Sequence, residues 1–405
     1  YLDTMEYAEQ CGFDWVGCNE HHFSPYGLMA NCNLIGAALA QRTSRIKLAM
    51  LGNLVPLLNP IRVAEEYAML DVMSGGRLVA GMIRGVPHEY VAYNIDPGES
   101  RERLREAAAL IVKCWTATEP FRWDGRFFQY PSISIWPKPL QQPHPPILMS
   151  ASNEESAEFA AEHRAMIGMT LIAELGIAQG IIGTYRTALR AQGIEATPAH
   201  VLLSYNTCIA DSDAEAREQL SAGLRYFHGF LMKPIRKAQN RVIESSKFFA
   251  DAQHGERFSK RLATLNQRSI EEMIEAGSVL CGSPETVVRQ MRRIRDALGN
   301  GWFNVQTEEV WDFHKAPWRA APKLLLSLFV EFADGTTEVI ASDENWKGAT
   351  GPILFDSIYG GEIYDARLEK PGWDRPGYDD EDWERVKIVD APVGKLAAQI
   401  MPAIE

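Results

Sequence analysis

The sequence has little cysteine, no long apolar run and no excess of positive charge. Six cysteines are scattered over 405 residues without a C-x-x-C pair, so neither a zinc site nor a disulfide framework is expected. We expect small buried thiols in a reducing, cytoplasmic compartment. The run at 324–330 is among the longest apolar stretches. It falls short of the roughly 20 residues that cross a bilayer, so a membrane location is not expected.

Acidic residues outnumber basic residues by 53 to 41, which gives a formal net charge of −12. A surface of that sign does not attract phosphate backbones, so no nucleic acid partner is expected. Hydrophobic residues make up 46% and charged residues 23% of the chain, as in ordinary globular proteins. The length suits two or three domains, or one large barrel with an appendage.

Short β-rich runs alternate with amphipathic helical stretches up to about residue 307. The runs are mostly continuously apolar, as in a parallel sheet covered by helices. Asn59-Pro60 and Ser283-Pro284 each predict a helix start, and repeated βα units predict a TIM-type (β/α)₈ barrel. A doubly wound open sheet is the alternative, but no G-x-G-x-x-G follows a strand. Strands are predicted at 13–19, 46–54, 78–84, 147–152, 166–172, 201–209 and 302–306.

The composition changes after residue 307. Asp334-Gly335 predicts a hairpin turn between strands at 323–333 and 336–341, and 387–389 reads as a further short strand. Dense Gly, Pro, Trp, Tyr and Asp indicate a small all-β, sandwich-like domain. We therefore predict a barrel at 1–307, a junction at 308–322 and a β domain, itself incomplete, at 323–405.

Polar residues follow several predicted barrel strands, at the edge where barrels build their active sites. His21 and His22 suit acid–base catalysis, a metal site or simple hydrogen bonding to neighbouring loops. A metal is the least favoured of these, because adjacent histidines rarely bind one ion together. Arg84, followed by the permissive Gly85, suits an anion.

A second group of residues favours the same anion. Arg101 lies in a charged run and either joins Arg84 or belongs to a solvated helix face. Ser152 and Asn153 precede a helix that includes Ser156. The start of that helix suits a phosphate, although these residues also serve as ordinary helix caps. The residues alone do not identify a cofactor.

Seven motifs occur in order along residues 1–307. They are Gly12-Phe13-Asp14, Glu20-His21-His22-Phe23, Ala40-x-Arg42-Thr43-Ser44, Asn59-Pro60-x-Arg62-x-Ala64-Glu65, Leu70-Asp71-x-Met73-Ser74-Gly75-Gly76-Arg77, Arg84-Gly85 and Pro137-x-Pro139-x-Gln141-x-Pro143-His144-Pro145-Pro146. Together they resemble the bacterial-luciferase-like flavin monooxygenases. The resemblance implies a (β/α)₈ barrel that binds reduced FMN, or less favourably a deazaflavin, at the carboxyl ends of its strands.

The resemblance also implies roles for individual residues. His21 matches the family's catalytic histidine, which assists proton transfer. Arg84 and Arg101 match arginines at the FMN phosphate. Leu51-Gly52 falls where the family has a non-proline cis peptide beneath the flavin ring. The loop and helix start that hold the phosphate match Ser152, Asn153 and Ser156.

Two departures argue against light emission. Ile83 replaces the luciferases' reactive cysteine, and Leu171 stands where they have tryptophan. The implied function is a non-luminescent monooxygenase that oxygenates a small organic substrate with O₂ and reduced FMN from a separate flavin reductase. A non-catalytic flavin-binding protein is an alternative. The segment 226–275 contains no motif that names the substrate.

A second set of motifs lies beyond residue 310. They are Trp311-Asp312-Phe313, Ala316-Pro317-Trp318-Arg319, Ser342-Asp343-Glu344-Asn345-Trp346-Lys347, Gly361-Glu362-x-Tyr364-Asp365-Ala366-Arg367, Gly372-Trp373-Asp374 and Asp380-x-Asp382-Trp383. They resemble the N-terminal β-sandwich region of bacterial α-L-rhamnosidases, whose members carry asparagine at the position of Gly360. A carbohydrate-binding fragment with a sugar ligand is therefore a further alternative, although tryptophans in the core of a small sandwich explain the same composition.

Both predicted modules look cut. The first barrel strand is expected before Tyr1 and the last helix after Gln306, which leaves seven predicted strands and an unpaired edge. We therefore expect a fragment of a larger or joined reading frame. The truncation leaves the barrel's activity open, and a complete barrel would favour a homo-oligomer.

Overall fold

The computed structural model describes residues 1–23, 29–170, 172, 174–227, 268–307, 326–357 and 361–389. The chain divides into two compact units, Tyr1–Lys315 and Ala316–Glu405. Several sequence expectations fall outside the described residues. They concern the junction at 308–322, Leu171, Gly360 and most of the segment 226–275.

Helices and strands alternate along the first unit. The helices are α1 (Leu2–Gln10), α2 (Cys32–Arg42), α3 (Pro60–Met73), α4 (Pro87–Ala92), α5 (Ser100–Thr116), α6 (Glu154–Glu162), α7 (Leu175–Ala191), α8 (Asp213–Tyr226), α9 (Ile270–Ala276) and α10 (Pro284–Leu298). The strands are β1 (Trp15–Cys18), β2 (Lys47–Met50), β3 (Asn53–Leu54), β4 (Leu78–Ile83), β5 (Phe121–Asp124), β6 (Gln129–Ile133), β7 (Ile147–Ser150), β8 (Met166–Met169), β9 (Val201–Ile209), β10 (Val279–Gly282) and β11 (Trp302–Thr307).

A parallel sheet forms the centre of this unit. Among the described residues its strands follow the order β1-β2-β4-β7-β8-β9-β10, with β3 beside β4 and β11 also paired to β9. The pairs are parallel throughout, with Gly17 opposite Ala49 and Ala80 opposite Ile147. The helices and the sheet bury one large apolar cluster between them. The predicted α/β class and TIM-type barrel are confirmed.

The helix signals in the sequence act as expected. The Asn59 side chain accepts hydrogen bonds from the N–H groups of Ile61 and Arg62 in α3, and the Ser283 side chain accepts one from the N–H of Thr286 in the first turn of α10. Each helix has proline at its first position, where the missing N–H costs nothing. Gly299 ends α10 in the left-handed conformation, with φ of 64°.

Some strands differ from their predicted bounds. The run predicted at 46–54 is interrupted at Leu51-Gly52 and forms β2 and β3. The four-residue strand β10 and the hairpin β5–β6 were not predicted, because short strands carry little periodic signal.

The second unit contains small antiparallel sheets, which confirms its β character. Within 326–357 and 361–389 the pairs are β12–β13 (Ser327–Glu331 and Thr337–Ala341), β14–β17 (Lys347–Gly348 and Glu384–Arg385) and β15–β16 (Ile353–Ser357 and Gly361–Tyr364). The predicted turn at Asp334-Gly335 joins β12 to β13. The predicted strand at 387–389 is wrong, because the pairing ends at Arg385.

All six cysteines lie within the described residues and none of them forms a disulfide bond; Cys11 is exposed and Cys208 is half-buried. The predicted burial of the thiols is therefore found for the other four cysteines. None of the helices in the described ranges is both long and apolar enough to cross a membrane.

Candidate functional site

The predicted site residues follow neighbouring strands of the parallel sheet. His21 follows β1, Leu51-Gly52 follows β2, Arg84 follows β4 and Ser152 follows β7. These four strands are adjacent in the sheet and run in one direction. Their carboxyl ends therefore bring the loops to one edge, where barrel enzymes carry their chemistry.

Arg84 lies half-buried near a second arginine. Burial lowers the pKa of Arg84, the Arg101 guanidinium acts in the same direction, and the Glu155 carboxylate opposes them. Arg101 forms an ion pair with Glu155, which belongs to the first turn of α6. Arg84 therefore lies within electrostatic range of the Arg101–Glu155 pair at the start of α6.

The start of α6 is closed by reciprocal hydrogen bonds. The Asn153 side chain accepts from the N–H of Ser156 at 2.9 Å, and Ser156 Oγ accepts from the N–H groups of Ser152 and Asn153 at 3.0 and 3.1 Å. These residues are thus helix caps, as the simpler interpretation proposed. They also place the positive end of α6 beside the arginine pair, an arrangement that attracts anions.

His21 contacts a carboxylate that the sequence did not single out. Nδ1 of His21 lies 3.3 Å from Oε1 of Glu89, a fully buried residue of α4. Gly85 has φ of +85°, and a Cβ there would lie 3.1 Å from Oε2 of Glu89. Glu89 and Gly85 therefore connect His21 to Arg84. The sequence signal that could have pointed to Glu89 is an acidic residue soon after Arg84-Gly85.

His22 is oriented differently from His21. Its ring is 8% exposed, with Nε2 at 3.3 Å from Oε1 of Glu20 and Nδ1 at 3.2 Å from the Tyr93 hydroxyl. Glu20 Oε1 also accepts the N–H of Leu54 at 3.3 Å. His22 therefore ties the loop after β1 to its surroundings, whereas His21 stays 23% exposed.

The Leu51–Gly52 peptide bond is cis. It packs against the backbone of β4, since a Cβ on Gly52 would lie 2.6 Å from the carbonyl oxygen of Gly81. A Cβ on Gly81 would lie 1.8 Å from the carbonyl oxygen of Met50. Only glycine fits at both positions, so the loop after β2 is held tightly on the adjacent strand.

The first unit also has a cleft that is lined by other residues. A cleft of about 470 Å³ lies on the outside of the barrel, between α5 and the end of α6, and its lining includes Lys113, Trp123 and His163. It includes none of the predicted site residues. Among the described residues, no cluster of three or more His, Cys, Asp or Glu side chains could hold a metal ion.

Family profiles match both parts of the chain. The luciferase-like monooxygenase profile matches residues 1–301, and the profile of the α-L-rhamnosidase N-terminal domain matches residues 287–405. An α-L-rhamnosidase of Formosa agariphila is 36% identical over 110 residues, which are 27% of this chain and 12% of the rhamnosidase. The resemblance of the C-terminal region is therefore confirmed.

A curated relative of the barrel is the oxygenase component of the flavin-dependent trigonelline monooxygenase of Acinetobacter baylyi. It is 30% identical over 222 residues, which cover 53% of this chain and 60% of the relative. The chain thus spans less than two thirds of that relative's length.

Solved structures share the barrel fold. Monooxygenase RslO1 of Streptomyces bottropensis aligns with a TM-score of 0.61 at 27% identity, covering 75% of this chain and 84% of RslO1. The oxygenating component of 3,6-diketocamphane monooxygenase from Pseudomonas putida, in complex with FMN, aligns with a TM-score of 0.60 at 20% identity, covering 78% and 88%. An F420-dependent secondary alcohol dehydrogenase aligns with a TM-score of 0.59 at 17% identity, covering 76% of this chain and 88% of the dehydrogenase. With a profile match over residues 1–301, the chain belongs to the luciferase-like monooxygenase family.

Proposed function

We propose that the first unit is an FMN-dependent monooxygenase that oxygenates a small organic substrate with O₂. The observation that carries the proposal is the meeting of Arg84, Arg101 and the start of α6 at the same edge as His21. Its trigonelline-oxidising relative is an oxygenase component, which supports a separate protein as the source of reduced flavin. Ile83 at the end of β4 supports a reaction without light emission.

The residues at this edge fit a phosphorylated flavin. A phosphate monoester carries about two negative charges at neutral pH and accepts charge-assisted hydrogen bonds. Two guanidinium groups and a helix N-terminus supply the matching positive charge. A deazaflavin cofactor also carries phosphate, so the choice between the two rests on titration.

Once bound, the reduced flavin supplies the electrons with which O₂ is activated. Arg84 and Arg101 would hold the phosphate, with Ser152, Asn153 and Ser156 shaping the helix start beside it. Leu51-Gly52 would lie beneath the ring and exclude water from that side. His21 would move a proton at its ring nitrogen during oxygen transfer.

Flavin fluorescence tests the assignment. The fluorescence of FMN should be quenched on binding to the protein. Arg84→Ala should weaken FMN affinity about 10- to 100-fold, as expected for one lost charge-assisted contact. Riboflavin lacks the phosphate, so its affinity should not change in that variant. Arg122→Ala is the matched control, since Arg122 is exposed on β5 and paired with Asp124.

The outcomes separate the alternatives. Equal FMN affinity in wild type and Arg84→Ala would remove the phosphate assignment. Tighter binding of a deazaflavin than of FMN would change the cofactor. FMN binding without substrate-dependent O₂ uptake, when a flavin reductase is supplied, would favour a non-catalytic flavin-binding protein.

A sugar ligand on the second unit stays a prediction. Trp373 is 64% exposed and suits stacking on a sugar ring, whereas Trp383 has a buried indole nitrogen and packs against Tyr378. A change in Trp373 emission with rhamnose would support it. The homo-oligomer and the cytoplasmic location also stay predictions.

A further inference from the structure

The carboxyl group of Glu89 is fully buried directly beside His21. Its Oε1 accepts the backbone N–H of His22 at 3.1 Å and lies 3.3 Å from Nδ1 of His21. Its Oε2 accepts the backbone N–H of Val86 at 2.9 Å. Glu89 therefore joins the loop after β1 to the loop after β4.

The ionisation of Glu89 determines which atom of His21 carries a proton. Burial acts to raise the pKa of Glu89, but the hydrogen bond and charge of His21 and the N–H groups of Val86 and His22 outweigh it, so the pKa is lowered. An ionised carboxylate accepts hydrogen bonds and donates none. Nδ1 of His21 therefore carries the proton in this contact, and Nε2 is the proton-accepting nitrogen of the neutral ring.

We propose that Glu89 is the positioning residue of His21, fixing its ring orientation and its Nδ1–H tautomer so that protons are exchanged at Nε2. The catalytic consequence rests on the proposed monooxygenase function. The tautomer is a property of the protein itself, which can be measured without a cofactor.

The contacts of His22 separate it from this role. Both of its ring nitrogens face groups of the protein, Nε2 towards Glu20 and Nδ1 towards the Tyr93 hydroxyl. Its ring is also less exposed than that of His21. Of these two histidines adjacent in sequence, His21 is therefore the one that contacts Glu89 and has the more exposed side chain.

Nitrogen-15 NMR of the histidine-labelled full chain tests the tautomer. The chain has nine histidines, and the spectrum of His21→Gln identifies the ring signals of His21. At alkaline pH, where histidine rings are neutral, we expect Nδ1 of His21 to have the shift of a protonated nitrogen. We expect Nε2 to have that of an unprotonated one. The opposite pattern in the wild-type chain overturns the proposal, whether or not Glu89→Gln folds.

Glu89→Gln tests whether the carboxylate selects the tautomer. The amide has the same size but both donates and accepts, so it supports either tautomer. We expect the His21 signals to shift towards a mixture of the two forms. Glu20→Gln, the same exchange beside His22, should leave the His21 signals unchanged. His21 signals that stay the same in Glu89→Gln overturn the proposal.

Steady-state kinetics test the catalytic consequence. Glu89→Gln should lower kcat about 10- to 100-fold, because acid–base catalysis usually contributes a factor of at least this size. The KM and the FMN affinity should stay within about twofold of the wild-type values. An unchanged kcat in a variant with mixed tautomers overturns the role in proton transfer. Absence of FMN binding in the wild-type chain would instead refute the proposed function, and the NMR result would still decide the tautomer.

Discussion

Arg101 of α5 forms an ion pair with Glu155 in the first turn of α6, within the field of the half-buried Arg84. Glu155 therefore competes with any anion for the positive charge at this helix start. Glu155→Gln removes the competing charge and keeps the shape of the side chain. Because the pair is partly exposed and worth about 0.2–1 kcal/mol, we expect FMN to bind about 1.4- to fivefold more tightly.

A second acid on the same helix supplies the control. Glu162 lies at the far end of α6 and pairs with Arg105 at 3.3 Å. Glu162→Gln changes the net charge by the same amount but should leave FMN affinity unchanged, measured by fluorescence titration at low salt. Equal tightening in both variants would indicate a general charge effect. Weaker FMN binding in Glu155→Gln would contradict the placement of the phosphate.

Glu9 gives the fold a defined pH dependence. Its Oε1 accepts the N–H groups of Ser44, Arg45 and Ile46 at 3.1, 2.6 and 2.7 Å. Burial acts to raise the pKa of Glu9, but these hydrogen bonds outweigh it and lower the pKa below its ordinary 4.5. The stabilisation by Glu9 is therefore fully present above that value and is lost as the pH falls through the lowered pKa.

Thermal unfolding measures this effect. We expect Glu9→Gln to unfold at a lower temperature than wild type at pH 7, with the difference shrinking below about pH 4.5. Glu6→Gln is the control on the same helix. It removes a side-chain ion pair with Arg42 but none of the hydrogen bonds that Glu9 accepts from backbone N–H groups. A gap between Glu9→Gln and wild type that grows on acidification would reverse the sign and refute the argument.

Glycine has opposite roles in β4 and α7. A Cβ at Gly81 would meet the Met50 carbonyl oxygen at 1.8 Å, whereas Gly180 is exposed in α7 with nothing within 4 Å of its Cβ position. Gly81→Ala should destabilise the barrel by about 1–3 kcal/mol through overpacking. Gly180→Ala should stabilise it by up to about 1 kcal/mol through helix propensity. Urea denaturation measures the free energy of unfolding of both variants. A change of the same sign and similar size in the two would contradict the opposite roles of these glycines.

The sequence predicted those parts of the site that depend on strand order. His21, Arg84 and Ser152 each follow an apolar run, and parallel strands necessarily bring such residues to one edge. Glu89 was not predicted, because its contact with His21 joins residues 68 apart and depends on how α4 packs. Local periodicity contains no information about that packing.

The same distinction applies to the fold. Helices α3 and α10 were predicted because their caps are local chemistry, Asn59-Pro60 and Ser283-Pro284. Strand β10 has four residues and no alternation, so only its pairing with β9 identifies it. The break between β2 and β3 likewise follows from the close packing of Gly52 on β4, a tertiary contact.

Tyr67 links the start of β3, which directly follows the cis peptide, to β4 from within the core. Its fully buried hydroxyl donates to the carbonyl oxygen of Gly81 and accepts the N–H of Asn53 at 3.4 Å. Tyr67→Phe removes both contacts and leaves two buried polar groups with one partner fewer. We expect a loss of about 1–3 kcal/mol in the free energy of unfolding.

The ellipticity at 222 nm suits this measurement, because the α-helices in the described ranges belong to the first unit. Tyr185→Phe is the control, since its buried hydroxyl donates to the carbonyl oxygen of Ala165 at 2.6 Å and sits far along the chain from the candidate site. It removes one contact, so its cost should be smaller. If Tyr67→Phe costs no more than Tyr185→Phe, the Asn53 contact adds nothing to stability. The loop with the cis peptide must then be held by its other contacts, among them the packing of Gly52 against Gly81 and the hydrogen bond from the Leu54 N–H to Glu20.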